Sequence, residues 1–360
     1  MIYITYADYI ADFIGVWKKV QAQYRVFKEA FGTAYYTLYH GQMLYLFNDG
    51  ELIEKELAFT SENRRQVLIS WLKKYKIHKS YIRYDTADKG LLAFLQQQEE
   101  LGIKSVLEFT DIPYDWANGS QYNRSADKYY REKLYKHMKC CTTFNRFSEV
   151  YNIPCIVLVN GVDIKEQKEK QYRKPDGKIV LLSVASMAKH HGYDRMLQGM
   201  YNYYSNGGER NIIFNFVGEG PQLEYYNRIV NEFQLCGHVV FHGQLSGENL
   251  DKIYDNSDIA IGSLGLHRIR MQSAAPIKTG EYCARGIPFV YGYDDISFNK
   301  DNYFAYQISN DETPVDMQRI IEFYDTMYDG RDFIKDMRQY ALDNLTWNTI
   351  LRPVIDYLSQ

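Results

Sequence analysis

Short apolar runs alternate with longer stretches of helical spacing along most of the chain. The alternation is most regular in the second half, where an apolar run at 178–184 is followed by apolar residues at three- and four-residue intervals in 191–204. The first half opens with an apolar strand at 2–6, a turn at Gly15 and a helix at about 16–31. Repeated β-α units of this kind predict an α/β fold built on doubly wound parallel sheets.

A polar, highly charged segment interrupts this pattern near the middle of the chain. It ends in Pro175-Asp176-Gly177, which is typical of a solvated linker with a turn. We therefore predict an N-terminal Rossmann-like domain at 1–165, a linker at 166–177, a C-terminal Rossmann-like domain at 178–345 and a terminal helix at 346–360.

Composition excludes several classes of protein. The formal net charge of -3 gives no reason to expect a nucleic-acid partner. The five cysteines include no C-x-x-C pair, so we predict neither a disulfide framework nor a zinc site. No apolar run reaches about 18 residues, and the first residues lack the basic region of a signal peptide, so a cytoplasmic protein is expected.

The segment around Lys278 is the strongest candidate for chemistry. Pro276 suits the first turn of a helix, and Gly286 suits the position just after its end. Free N–H groups at a helix start, beside a lysine, form an anion site, and Gly280 would let a ligand approach the backbone. Glu281, one turn further on, could bind ribose hydroxyls while Lys278 holds a diphosphate. The alternative, which these residues alone favour, is an ordinary capped helix with a surface ion pair.

The same segment resembles the donor site of a large family of retaining glycosyltransferases, called group 1 or family four, which has the GT-B architecture. The matching residues are Lys278-Thr279, Glu281-Tyr282, Ala284 and Gly286-Ile287-Pro288. Other segments resemble the family in order and spacing, namely Asn160-Gly161-Val162-Asp163, His191-Gly192-Tyr193-Asp194-Arg195, Val217-Gly218-Glu219-Gly220-Pro221, Val240-Phe241-His242-Gly243 and Leu345-Thr346-Trp347.

The resemblance implies two Rossmann-like domains that face each other across a cleft, with the final helix returning to the first domain. It implies transfer of a sugar, with retention, from a nucleoside-diphosphate sugar to a glycan or lipid-linked acceptor in surface polysaccharide synthesis. A uridine diphosphate donor is expected, and the acceptor makes contact with the inner face of the membrane possible. No cofactor is expected. No metal is expected either, because Lys278 and the helix start would replace one.

The resemblance also implies a set of site residues. Lys278 and Glu281 take the catalytic roles. The residues expected at the donor are Gly15, Ser186, Lys189, His191, Arg195, Gly218, Glu219, Gly243, Ser273, Thr279 and Gly280.

The chain departs from the family pattern at two places. The family has two glutamates separated by seven residues; Glu281 fits the second, but Ser273 stands at the first, which contacts the transferred sugar. The family's arginine in the preceding loop falls on Ser186. Lys189 could supply that charge or be an exposed lysine, and His191 could bind a phosphate or be a polar helix start.

Several charged groups have two open interpretations. Arg195 could support the phosphate site or pair with a surface carboxylate. Glu108, Asp111 and Asp115 follow a predicted strand at the sheet edge where ligands bind, so one could meet the acceptor hydroxyl, or each could cap the next segment. A basic face on the first helix could contact a membrane or simply be solvated; it comprises Lys18, Lys19, Arg25 and Lys28.

Two other functions remain open at this point. A fold does not determine chemistry, so a sugar-nucleotide epimerase is one alternative; it would interconvert sugars without an acceptor. A non-catalytic subunit that supports an active partner is the other, and Ser273 motivates it. Donor turnover by the isolated chain would argue against the second alternative.

Overall fold

The computed structural model describes residues 1–5, 14–110 and 121–360. The chain divides into two compact units. Unit 1 comprises Met1–Val159 together with Trp347–Gln360, and unit 2 comprises Asn160–Thr346. Each unit contains its own largely or wholly parallel sheet covered by helices, which confirms the predicted α/β class.

The described part of unit 1 begins with alternating strands and helices and then continues mainly as strands. The elements before residue 160 are β1 (Ile2–Ile4), α1 (Ile14–Phe31), β2 (Tyr35–His40), β3 (Met43–Asn48), β4 (Glu51–Leu57), α2 (Ser61–Lys74), β5 (Lys79–Arg83), α3 (Lys89–Glu100), β6 (Lys104–Phe109), α4 (Gln121–Arg131), β7 (Cys141–Thr143), β8 (Glu149–Val150) and β9 (Ile153–Val157).

The nine strands form one sheet in the order β4-β3-β2-β1-β5-β6-β7-β9-β8. The six central strands are parallel, whereas β3, β4 and β8 pair antiparallel with their neighbours at the two edges. The pattern predicted neither β4 nor β7. Strand β4 is exposed or half-exposed at every position, and its charged residues fall in a run at Glu54-Lys55-Glu56, so it lacks the alternation of apolar and polar residues that marks a strand.

Unit 2 is a regular succession of strands and helices. Its elements are β10 (Lys178–Val184), α5 (Tyr193–Ser205), β11 (Asn211–Val217), α6 (Leu223–Glu232), β12 (Val239–Phe241), α7 (Gly247–Asp255), β13 (Ile259–Ile261), β14 (Ser273–Ala274), α8 (Ile277–Arg285), β15 (Phe289–Tyr291), β16 (Asp294–Asp295), β17 (Ala305–Gln307), α9 (Met317–Met327) and α10 (Phe333–Asn344).

Six strands of unit 2 form a parallel sheet in the order β12-β11-β10-β13-β15-β17. This is the doubly wound Rossmann order, in which the chain reverses direction between its first and fourth strands. Here the reversal lies between β10 and β13. Ligands of such sheets bind outside the carboxyl ends of the strands at this point, so the loops after β10 and β13 are where a site is expected.

Helix α11 (Trp347–Ser359) completes unit 1. Its buried residues Trp347, Leu351 and Leu358 share a core cluster with Phe27 of α1 and Tyr81 of β5. The opposite face of the unit 1 sheet carries a second core cluster, formed with α2 and α3. The sheet is therefore covered on both faces, as a parallel sheet requires.

The predicted linker at 166–177 lies inside unit 2 and does not separate two domains, although most of its residues are exposed, as expected of a solvated segment. Lys170 is only 3 % exposed, and burial lowers its pKa to about 8. The Arg173 guanidinium donates to both carboxylate oxygens of the buried Asp258, at 3.0 and 2.9 Å. Two of the charges that suggested exposure are therefore held against the body of unit 2, whereas Lys168, Glu169 and Lys174 are exposed.

Two further sequence-based expectations need correction. Cys141 and Cys155 lie opposite each other on the parallel strands β7 and β9 and form a disulfide, which their spacing of 14 residues did not suggest. Lys19 is 8 % exposed and forms an ion pair with Glu108, so it does not belong to an exposed basic face of α1. Among the described residues, no helix is both long enough and apolar enough to cross a membrane.

Candidate functional site

Helix α8 begins without a side-chain cap. Pro276 occupies the position before the first helical residue, one place earlier than predicted, and as the N-cap residue it offers no side-chain hydrogen bond to the first turn. The first amides of a helix have no partner within it, so those of the partly exposed Ile277 and Lys278 are available to an acceptor. The helix ends, as predicted, at Gly286, whose φ of 77° is left-handed.

The Lys278 ammonium lies at this helix start. Its Nζ is buried and has no hydrogen-bond partner within the described residues. Burial lowers the pKa of Lys278 to about 8, and the nearby Glu281 carboxylate acts in the opposite direction. A buried ammonium without a hydrogen bond is costly, and an anion bound at the same helix start would supply its missing acceptor.

Glu281 stands one helical turn after Lys278 and is half-buried. Its Oε1 accepts a hydrogen bond from Gln167 Nε2 at 3.4 Å. Gln167 is held in turn by Arg285, whose Nε donates to Gln167 Oε1 at 3.0 Å. The Glu281 carboxylate is therefore oriented by a neighbouring amide while it remains partly open to solvent.

The loop after β10 brings His191 close to Lys278. His191 closes a short 3-10 turn at Lys189–His191, and its Nδ1 accepts a hydrogen bond from the Ala188 amide at 3.0 Å. Burial, the Lys278 charge and His190 together lower the pKa of His191 to about 2. The ring is thus neutral at physiological pH, and since Nδ1 is the acceptor, its proton resides on Nε2.

Two glycine turns pack against this loop. A Cβ on Gly218, which has a φ of 121°, would lie 2.1 Å from the Ala185 carbonyl oxygen, so only glycine fits there. The Gly218 amide donates to the Gly243 carbonyl at 2.7 Å, and Glu219 is exposed beside Gly243. The structure thus brings together the predicted Gly218, Glu219 and Gly243 beside the loop that begins at Ala185.

The loop after β13 fastens the loop after β10 at the reversal point. The amides of Leu264 and Gly265 donate to the carbonyls of His191 and His190, at 2.8 and 3.2 Å. Arg268 donates to the Lys189 carbonyl at 3.1 Å and forms two hydrogen bonds of 2.8 Å with Asp194. It also binds Glu312. Arg268 is therefore fully paired and holds the loop that carries Lys189 and His191.

Arg195 does not face a ligand. It is 3 % exposed, and its guanidinium donates to the carbonyls of Thr313 at 2.8 Å and Ser309 at 3.1 Å, and to that of Leu264. It also forms an ion pair with the exposed Asp311 at 3.6 Å, which confirms the alternative of pairing with a surface carboxylate, and it anchors the loop after β13. Lys189 and Ser186 are both exposed on the loop after β10.

Two predicted donor contacts on α8 point away from the open helix start. Thr279 is 0 % exposed, and its hydroxyl lies 2.7 Å from a carboxylate oxygen of Asp295. A Cβ on Gly280 would lie 3.0 Å from Val162 Cγ1, so this glycine accommodates the segment that enters unit 2 and not a ligand. At both positions the residue type suggested a ligand, but the helix turns it toward the protein.

Glu108 is also committed within the protein. It is 0 % exposed, forms ion pairs with Lys19 and Arg83 at 3.3 Å each, and accepts a hydrogen bond from Gln23. These cations hold the pKa of Glu108 below its usual value despite burial, which opposes them. Its predicted role at the acceptor is therefore wrong, because the carboxylate is enclosed and paired. Asp111 and Asp115 lie outside the described residues.

The remaining predicted residues fall in less informative places. Gly15 lies within the first turn of α1 and not in a loop before it. Ser273 lies in β14, half-buried, two residues before the segment that leads into α8. No group of three or more His, Cys, Asp or Glu side chains in the described part of the chain is arranged to hold a metal ion.

Residues 164–296 match the family model for glycosyl transferases group 1. The chain thus carries the sequence pattern of this family over that segment of unit 2. No curated protein matches its sequence significantly. Among solved structures, it is similar to a glycosyltransferase from Rickettsia africae, with a TM-score of 0.71 and 14% identity over 99% of this chain and 97% of that one.

Two other solved structures are similar to this chain over almost their whole length. A sucrose-phosphate synthase from Thermosynechococcus elongatus gives a TM-score of 0.64 at 13% identity, with 100% and 98% of the two chains covered. Anabaena Alr3699/HepE in complex with UDP and glucose gives 0.60 at 13%, with 100% and 99% covered. At such low identity the similarity shows the fold, and the fold is GT-B.

Three residues that shape the candidate site were not assigned to it from the sequence. Arg268 lies in a loop whose charges looked like ordinary surface charges. Asn160 donates through Nδ2 to the Ala275 carbonyl at 2.6 Å, just before α8. Asp295 reaches Thr279 from β16, a strand of two residues that no hydrophobic period could reveal. All three act across long sequence separations.

Proposed function

We propose that this chain transfers a sugar from a nucleoside-diphosphate sugar to a glycan or lipid-linked acceptor, with retention of configuration at the transferred carbon. The observation that carries the proposal is the buried, unpaired Lys278 ammonium at the uncapped start of α8. A diphosphate satisfies both the ammonium and the helix amides, and few other ligands present enough acceptor oxygens at one point. The group 1 match over residues 164–296 supports the same reading.

Each residue has a definite role in this proposal. Lys278 and the amides of the first turn of α8 bind the diphosphate, and the neutral His191 donates from Nε2 to one of its oxygens. Negative charge grows on the diphosphate as the bond to the sugar breaks, so these donors stabilise the transition state more than the bound donor. Glu281 accepts hydrogen bonds from the ribose hydroxyls, which do not change during the reaction.

The expected reaction needs no nucleophile from the protein. The acceptor hydroxyl forms its bond to the sugar carbon on the face from which the diphosphate oxygen departs, and its proton passes to that oxygen. The protein contributes orientation of the two reactants and stabilisation of the leaving group. Retention follows from this same-face attack and rests on the family resemblance.

A uridine diphosphate donor is proposed because one similar structure, Anabaena Alr3699/HepE, is a complex with UDP and glucose. We further propose that no metal ion takes part, since the Lys278 charge and the partial positive charge of the α8 start would neutralise the diphosphate in its place. Surface polysaccharide synthesis with a lipid-linked acceptor would place the protein at the inner face of the membrane.

The test is calorimetric titration of UDP into the wild-type protein and into Lys278→Ala, both in EDTA. Loss of one charge-assisted contact of about 1.5–3 kcal/mol should weaken binding by roughly 10- to 100-fold. Lys252→Ala is the matched control, because Lys252 is an exposed lysine on the neighbouring helix α7 and should leave affinity unchanged. Binding that appears only with added magnesium or manganese would contradict metal independence.

Turnover separates an enzyme from a subunit that only binds nucleotide. UDP-sugars incubated with a panel of glycan acceptors should give a glycosylated product whose anomeric configuration, read by NMR, matches that of the donor. UDP binding without any turnover across the panel would instead favour the non-catalytic partner. Interconversion of the UDP-sugar without an acceptor would favour the epimerase.

A further inference from the structure

Asp295 is a buried carboxylate that the proposed reaction does not use. It is 2 % exposed and is the last residue of β16. Its Oδ2 accepts hydrogen bonds from the hydroxyls of Thr279 at 2.7 Å and Tyr293 at 3.1 Å, and its Oδ1 accepts from the Ser297 amide at 3.0 Å. Among the described residues, the groups that act most on its pKa are these hydrogen-bond donors and not cations.

A buried carboxylate without a cation destabilises the fold unless hydrogen bonds or nearby positive charge offset its lost hydration. Burial raises the pKa of Asp295 to about 6, with the three hydrogen bonds opposing that rise. The group is therefore mostly charged at neutral pH. Its Oδ2 approaches the first turn of α8, where the partial positive charge of the helix start favours a negative group.

The hydrogen bond between Asp295 and the Thr279 hydroxyl links β16 to the start of α8. Strand β16 pairs with β14, with Ala274 opposite Asp295, and β14 leads through Ala275 and Pro276 directly into α8. The Thr279 hydroxyl lies nearer to Asp295, at 2.7 Å, than to the Pro276 carbonyl, at 3.1 Å. The first turn of α8 is thus fastened to the partner of the strand that precedes it.

Neither residue can touch a ligand directly, because Thr279 is 0 % and Asp295 2 % exposed. What they can fix is the neighbouring residue. Lys278 directly precedes Thr279, and its backbone amide belongs to the same open turn. A rotation of that turn would move the ammonium and the amides together, and misplacement of a binding group by about 1 Å is enough to lose much of its contribution.

We propose that Asp295 is a positioning residue that acts through the Thr279 hydroxyl to hold the first turn of α8, and with it Lys278, in the geometry that binds the donor diphosphate. The proposal rests on the proposed function of Lys278. It adds that the geometry of this anion site depends on a buried carboxylate, Asp295, which lies on the two-stranded β14-β16 sheet and does not contact the ligand.

Two substitutions at Thr279 isolate the hydroxyl. Thr279→Val keeps the shape of the side chain but cannot donate to Asp295, whereas Thr279→Ser keeps the donor and loses a methyl group. Titration of UDP should give a dissociation constant about tenfold higher for Thr279→Val and within about twofold of wild type for Thr279→Ser. Asp295→Asn, which removes the charge, should resemble Thr279→Val.

A matched control separates positioning from general destabilisation. Cys283 is buried on the same helix, one turn further on, and its Sγ bonds to the Met337 carbonyl. Cys283→Ala should lower the melting temperature but leave UDP affinity unchanged. Hydrogen exchange without ligand should be faster in the first turn of α8 in Thr279→Val, but not in Thr279→Ser.

The outcomes distinguish the two proposals. Wild-type protein that binds no UDP would overturn the proposed function, and this inference with it. If wild type binds UDP, normal affinity in Thr279→Val overturns the inference alone, as does an equal loss of affinity in Cys283→Ala. Rescue of affinity by serine but not by valine supports it.

Discussion

Raising the pH should weaken UDP binding through Lys278. Burial lowers the pKa of the free Lys278 ammonium to about 8, so this group loses its proton within an accessible range. A bound diphosphate favours the charged form, which raises the pKa of Lys278 in the complex. Binding therefore takes up a proton above pH 8, and affinity must fall as the pH rises through that value.

The magnitude follows from the fraction of protein that carries the charge. With a free pKa of about 8, roughly nine-tenths of Lys278 is protonated at pH 7 and roughly one-tenth at pH 9. If only the charged form binds UDP strongly, the dissociation constant should rise about tenfold between these two values. The neighbouring His190 and His191 have lowered pKa values, so neither changes its charge in this range.

The assay is calorimetric titration of UDP at half-unit steps from pH 7 to pH 9. At pH 8.5 the heat should differ between buffers of different ionisation enthalpy, which reports the proton taken up. Lys278→Arg keeps a charge at all these values and should bind with a nearly flat profile; Lys278→Met should bind weakly throughout. A wild-type profile that is flat, or affinity that rises with pH, would refute the role given to this ammonium.

Three further outcomes are expected. Gly218→Ala should abolish UDP binding, because the new Cβ would lie 2.1 Å from a backbone carbonyl oxygen and the turn would have to move. Circular dichroism should show that the variant is folded, and titration should show that it no longer binds UDP. Retained affinity would count against the site. Arg173→Ala should destabilise the protein by about 3 kcal/mol in urea unfolding, because it leaves the buried Asp258 carboxylate without its ion-pair partner. Arg319→Ala, which breaks an exposed ion pair, should change stability by less than about 0.5 kcal/mol. Equal effects of the two substitutions would contradict this expectation. Glu281→Gln should raise the donor KM several-fold with little change in kcat. A loss confined to kcat would contradict the proposed hydrogen bonds between Glu281 and the ribose hydroxyls.

Unit 2 could be predicted closely because its pattern is strong. Strands β10, β12 and β13 begin and end where the apolar runs do, and α8 ends at the predicted Gly286. Parallel strands that are buried on both faces have continuous apolar sequences, so their bounds can be found from the sequence alone. Strand β17 escaped prediction because it has only three residues, none of them fully buried.

Only those features of the candidate site that depend on residues close in sequence could be predicted. Lys278 and the open start of α8 follow from Pro276 and Gly286, which bound the helix within the sequence itself. The direction in which Thr279 and Gly280 point could not be read in this way, since it depends on strands and segments that pack behind the helix.

Charge was the least reliable guide. Glu108 and Arg173 were expected at the surface or in a linker, yet each lies in a buried ion pair. A charged residue can be buried when a partner from a distant segment neutralises it, and no window of sequence contains both partners.

The position of α11 has a consequence for how the protein is made. Residues 1–159 emerge from the ribosome first, but the core they build includes Trp347, Leu351 and Leu358 from the far end of the chain. Unit 2 is synthesised in between and has all its own strands before α11 exists. Domains usually fold in the order of synthesis, but here the order is inverted: the second unit can finish folding while the first still exposes the apolar surface that α11 will cover. During that interval unit 1 keeps this apolar surface exposed, and premature termination after Thr346 would leave unit 1 without part of its core.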